Sequence, residues 1–292
     1  RAVTAYRAEP GPGAAPVVRR RGSLALLMLV PSTLFVVVFF VIPLGVMFAG
    51  SITDRTAGGL TIGHYVEILG DEYYWEIILR TVRVGAMSTA LALLIGYPAA
   101  LYLYFSQSRW RRVLLFIVVS PLFVSVIVRT YGWIVLLSPN GVLRAILPWD
   151  VRLLHTEAAI VLGLTHIYIP FMVLALNAAL TKVDRRLISA AASLGASNLG
   201  IFRDVLFPLS IPGILAGCTV VFSISMTAFS IPVLLGGAAR KTMPYLIYQQ
   251  NLLLGNWDVG SALAFVLLAI TLLIVVVLTR VTDRAKLRSA LQ

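Results

Sequence analysis

The side chains able to do chemistry in this chain are few and scattered through apolar sequence. His64, His155 and His166 have no spacing that puts two of them on one helical face, and Cys218 is the only cysteine, so neither a metal site nor an internal disulfide is predicted. No phosphate-cradling glycine-rich lysine motif, nucleophile elbow or metal-binding His pair is present. Hydrolysis of ATP or of a substrate by this chain is not expected; its polar residues are candidates for binding. Arg129 lies inside an apolar run, where a charge costs at least about 2.5 kcal/mol. It either lines a path, snorkels to the outer interface, or pairs with an acid such as Glu157. His166 reads as an interhelical hydrogen bond or as a path residue, and Ser225, Thr227 and Ser230 as path residues or helix glue. With Tyr131 these residues form the candidate translocation set. Trp133, Trp149 and Trp257 read as an interfacial belt.

The elements that must position them are membrane helices. Of 292 residues, 59% are hydrophobic and 12% charged, well below the roughly 25% charged of a soluble domain. Apolar runs at about 24–50, 77–105, 113–137, 157–180, 213–235 and 260–278 are each near the ~20 residues that span a hydrocarbon core. The prediction is an all-α polytopic membrane protein with six transmembrane helices. Pro31 and Pro43 are candidate kinks in the first span, and Gly96-Tyr97-Pro98 is a candidate break in the second. Residues 1–22, rich in Pro, Gly and Ala and ending in Arg19-Arg20-Arg21, read as a flexible tail, and 281–292 as a second tail. The chain opens on Arg1, and no signal-peptide pattern precedes the first span.

The net charge of +12 could suggest nucleic acid, but its distribution argues otherwise. The two termini, the turn around Arg109-Trp110-Arg111-Arg112 and the stretch 182–213 hold sixteen of the twenty-four basic residues and four of the twelve acids. That is the positive-inside asymmetry, which predicts both termini in the cytoplasm and needs no nucleic-acid partner.

Lys182–Gly213 is a polar, basic island between the fourth and fifth spans. Leu187, Ala190, Ala191 and Leu194 recur at i, i+3, i+4 and i+7, a narrow apolar stripe. Asp184 can cap the start of this helix, Gly195 its end, and Ser197-Asn198 the start of a second helix carrying Ile201, Phe202, Val205 and Leu206. Pro208 is expected to end that second helix. Pattern alone leaves two readings open: a helix pair resting on lipid headgroups, or a docking surface for a closely fitting protein.

The segment SAAASLGASNLGIFRDVLFPLSIPGI, with Gly195-Ala196, Phe202, Val205, Pro208 and Pro212-Gly213 in register, resembles the cytoplasmic EAA loop of the inner-membrane permeases of binding-protein-dependent ABC importers. VRTYGWIVLLSPNGVL at 128–143 and FSIPVLLGG at 229–237 look like the spermidine/putrescine branch. The resemblance implies a type I importer permease fold in a bacterial inner membrane, forming half of a pore for a small solute. It implies a second permease of different sequence, an ATP-binding subunit dimer inside that carries the ATP and Mg²⁺, and a substrate-binding protein outside; no cofactor is implied in this chain. It also implies a coupling loop at 182–212, seated in the ATPase through Leu187, Ser189, Ala190, Ala191, Leu194, Gly195, Ala196 and Phe202. Ser189 stands where the family carries an acid, and Phe207 where it usually has leucine. Polyamines are the leading substrates; opine, amino-acid derivative, iron or thiamine import is the alternative. An ion-coupled secondary transporter would need acids in broken midplane helices, and an intramembrane enzyme convergent titratable groups; the sequence shows neither.

Overall fold

The computed structural model describes residues 21–54, 58–142 and 153–290, with side chains over 29–280 of that range. Trp149 and most of the N-terminal tail lie outside the described residues. The chain divides into two units at Ala49/Gly50. The first contains α1 (Arg21–Val36), a π turn (Val37–Val41) and most of α2 (Ile42–Ser51). The π turn directly precedes Pro43, whose missing N–H and bulky ring are relieved by a locally widened helix.

The second unit begins with a two-residue antiparallel ribbon, β1 (Thr53–Asp54) and β2 (Gly59–Leu60), and the short α3 (Gly63–Gly70). The long helices follow: α4 (Glu72–Phe105), the pair α5 (Arg109–Val119) and α6 (Val126–Leu137), and α7 (Glu157–Leu180). The island supplies α8 (Arg185–Ser193) and α9 (Asn198–Ile201), which runs through a π turn into α10 (Phe207–Met226). Beyond a second break come α11 (Met243–Tyr248) and α12 (Trp257–Ala290). Five helices are long and apolar enough to cross a membrane, six if the bent α5–α6 pair is one span.

Helices α4, α7 and α10 pack on one another, and α12 packs on α10. The core between the first three is built from residues such as Ala92, Leu164, Met172, Leu176 and Val221. With no hydrophobic drive between helices in lipid, close approach needs small residues. A Cβ on Gly217 would fall 2.6 Å from the Met172 sulfur, and one on Gly213 would overlap Ala179, so α10 lies against α7 at a separation only glycine permits.

Four features of the sequence pattern are overturned. Helix α4 is unbroken through Gly96-Tyr97-Pro98, because one lost backbone bond is tolerated when neighbouring helices hold the segment. The span at 113–137 is two helices bent by 102° at Val124-Ser125. The span at 213–235 ends as a helix at Met226, and its remainder folds as a loop and a π turn, Pro232–Gly236. Pro208 does not end the island's second helix. The π turn Phe202–Leu206 comes just before it, so Pro208 occupies the opening turn of a new α segment, where a missing N–H costs little.

Candidate functional site

The island folds by local rules. Asp184 caps α8 by accepting from the Arg186 N–H at 2.9 Å, and Ser197 caps α9 by accepting from the Gly200 N–H at 3.2 Å. Between them Gly195 adopts φ +84°. Its N–H donates to the Ala192 carbonyl and the Ala196 N–H to the Ala191 carbonyl, 3.0 and 3.1 Å, the paired bonds of a Schellman cap. A Cβ at Gly195 would meet nothing within 4 Å. Glycine is therefore required here by the backbone angle and not by crowding.

The stripe does not lie on one side as the spacing predicts. Ile188, which falls between its members, and Ala191 turn toward the bundle and pack on its core, whereas Leu187, Ala190 and Ala196 are exposed, as are Leu194 (89%) and Leu199 (75%). Leu194 itself is the residue after the last helical turn. Ser189 is exposed, and its hydroxyl donates back to the Arg185 carbonyl at 3.3 Å. Phe202 faces inward, its ring 6.0 Å from that of Tyr97 and 6.2 Å from that of Phe207. It anchors the loop and does not belong to its outer surface.

Sequence reasoning missed the other anchors. The Arg185 guanidinium donates to the Tyr104 carbonyl at 2.5 Å and lies 5.3 Å over the Tyr104 ring, while the Tyr104 hydroxyl donates to the Val183 carbonyl at 3.2 Å. Tyr97 and Ser210 hydroxyls are 2.8 Å apart, joining α4 to α10. These pairs are separated by 81 and 113 residues, and no local pattern announces them.

At the opposite end the candidate path residues separate. Arg129 does not pair with Glu157. Glu157 accepts from Arg83 at 2.6 and 3.0 Å and from Arg80 at 3.3 Å, while Arg80, only 6% exposed, also pairs with Glu76 and donates to the Lys241 carbonyl at 3.2 Å. Arg129 Nε and Nη1 are buried with no hydrogen-bond partner among the described residues. Trp133 is half-buried, and its Nε1–H donates to His166 Nδ1 at 3.2 Å. That bond is the interhelical role expected of His166, and it leaves the proton on Nε2. Tyr131 is exposed on α6. Ser225 is buried and bonds the Val221 carbonyl at 2.7 Å, Thr227 borders an open pocket after α10, and Ser230 is half-buried near the same break. Of the six path candidates, Arg129 and Tyr131 lie on α6, His166 on α7, and the three hydroxyl residues on α10 and the segment after it.

Five or six helices long and apolar enough to cross a membrane, closely packed through glycines, define a multi-pass membrane protein. Residues 88–287 match the family described as binding-protein-dependent transport system inner membrane component, and the chain belongs to that family. It is 35% identical over 227 residues to the spermidine/putrescine transport system permease protein PotB of Haemophilus influenzae, covering 76% of this chain and 79% of that protein. It is 28% identical over 270 residues to the inner membrane ABC transporter permease protein YdcU of Escherichia coli, 83% and 84% of the two chains. In fold it matches a chain of a bacterial alginate ABC transporter in complex with an alginate pentasaccharide-bound periplasmic protein, with a TM-score of 0.76 at 19% identity over 91% of this chain and 96% of that one.

Proposed function

We propose that this chain is one half of the translocation pathway of a polyamine importer, moving spermidine or putrescine inward by alternating access. The similarity over three-quarters of the chain to a spermidine/putrescine permease supports the substrate class. The geometry of the island supports the mechanism: α8 and its cap expose Leu187, Ala190 and Leu194, while Arg185 ties α8 to α4 and Phe202, further along the loop, packs on Tyr97 of α4 and Phe207 of α10. A surface so built passes a push from a docked partner to two spans at once. The partner is a separate ATPase dimer holding ATP and Mg²⁺, on the side where the basic island and both termini lie, which is the cytoplasm. The tails 1–22 and 281–292 flank the permease domain 23–280 on that side. A second permease of different sequence completes the pore, and a solute receptor meets the opposite face. ATP drives the cycle only by binding the closed ATPase dimer more tightly than the open one. Because α8 carries Ser189 in place of an acid, the joint is held by the shape of the Leu187–Ala190–Leu194 surface, without a charge pair.

Gly195→Val tests the assignment. A β-branched residue at φ +84° costs about 1–2 kcal/mol and pulls the cap out of shape. Spermidine uptake should fall to background while the amount of inserted protein stays near wild type; full uptake in that variant would sink the coupling assignment.

A further inference from the structure

Two of the buried polar groups without a hydrogen-bond partner among the described residues differ in kind, a donor on Arg129 and an acceptor on Asn251. On the α6 side, Arg129 Nε and Nη1 have no acceptor among the described residues. On the other flank, between the end of α10, α11 and the start of α12, a cavity of about 400 Å³ is walled by Phe229, Tyr248 and Trp257, with Thr227, Ile247 and Asn251 beside them. The Phe229 and Tyr248 rings stand 4.9 Å apart, and Trp257 is half-exposed. None of the lining residues is charged. Asn251 Oδ1 is buried without a donor among the described residues, its carboxamide lying where a side chain on Gly260 would begin. Aromatic faces attract cations. A carboxylate would find no donor charge here; an ammonium would find ring faces and apolar wall for its methylenes.

We propose that this cavity is an amine-binding subsite of the permease, taking one ammonium end and the adjoining methylenes of a linear polyamine; the assignment rests on the polyamine reading above. Arg129 then lies apart from the cation's route, on the flank packed against α7.

The test has two arms. In cells expressing the complete transporter and lacking other polyamine uptake, labelled spermidine must enter with the wild-type chain; no uptake overturns the polyamine reading and the subsite with it. With the purified transporter complex free of its receptor, spermidine binding is followed by ligand-observed NMR. Trp257→Leu should weaken binding about tenfold, Trp257→Phe should restore most of it, and Asn251→Asp, which adds an anion to the pocket, should tighten it severalfold. If wild type transports spermidine but neither Trp257→Leu nor Asn251→Asp changes its dissociation constant, the cavity is a lipid or packing surface and the subsite is overturned while the polyamine reading stands. Asn251→Asp keeps the test decisive if Trp257→Leu fails to insert.

Discussion

At the island end of the bundle, Arg185 with Tyr104, Phe202 with Tyr97, and Tyr97 with Ser210 join the loop to two spans, and the helix from α9 to α10 runs without a gap. At the far end the chain is repeatedly interrupted: α6 bends away from α5, α10 stops at Met226, and π turns occupy Pro232–Gly236 and Gln249–Leu253. An ion network joins α4 to the start of α7 there, with Glu157 between Arg80 and Arg83. The contrast teaches where a conformational change has to be absorbed. A loop clamped to α4 and α10 is expected to move as a unit with their ends, so that a rearrangement falls at the breaks between helices.

The largest effect that would break this comparison is at Glu157. Arg80 is buried, and one carboxylate serves it and Arg83. Glu157→Gln leaves the buried Arg80 guanidinium with only Glu76 and the Lys241 carbonyl, and losing one of its two carboxylates costs about 1–3 kcal/mol. The detergent-solubilised protein should melt well below wild type. Combining Glu157→Gln with Arg80→Met should recover much of the loss, since the stranded charge is then gone. An unchanged melting temperature in the single variant would show that the far end does not depend on the network.

Next is Arg185. Its guanidinium is exposed on one side, so its contacts with Tyr104 contribute modestly to stability, about 1 kcal/mol. The expected change is in coupling. Arg185→Ala should keep insertion and basal ATP hydrolysis by the complete transporter but lose most of the receptor-stimulated hydrolysis and uptake. Arg185→Lys should rescue it only in part, because an ammonium lacks the planar fork that holds the carbonyl and covers the ring together. Stimulated hydrolysis equal to wild type in Arg185→Ala would mean the clamp is decorative and the two ends do not differ as described.

What was legible in the sequence is what local chemistry decides. Asp184, Gly195 and Ser197 announce their caps because each bonds backbone within a few residues. The spans were legible as apolar runs. The inward face of α8 was not, because Ile188 and Ala191 are chosen by what the bundle presents to them, and periodicity alone cannot tell a stripe that faces a core from one that faces a partner. Pro208 misled because a π turn two residues earlier changes what a proline meets. Arg80 and Glu157 lie 77 residues apart, and only the i, i+4 pair of Glu76 and Arg80 hints at the network.

The smallest expected effect is also the sharpest for the comparison. Tyr97→Phe removes one hydroxyl, leaving the ring against Phe202 and Phe207. The Ser210 hydroxyl keeps its bond to the Phe207 carbonyl at 2.8 Å, so no buried polar group is stranded. The net loss in stability should be about 1 kcal/mol or less, visible as a small drop in melting temperature. If the island, α4 and α10 are held mainly by packing, uptake should be nearly unchanged. If the directional bond between α4 and α10 keeps the two helix ends in step, uptake per ATP hydrolysed should fall more than stability does. The ratio of transport to hydrolysis in Tyr97→Phe, set beside that in Arg185→Ala, separates a rigid end made by shape from one made by hydrogen bonds.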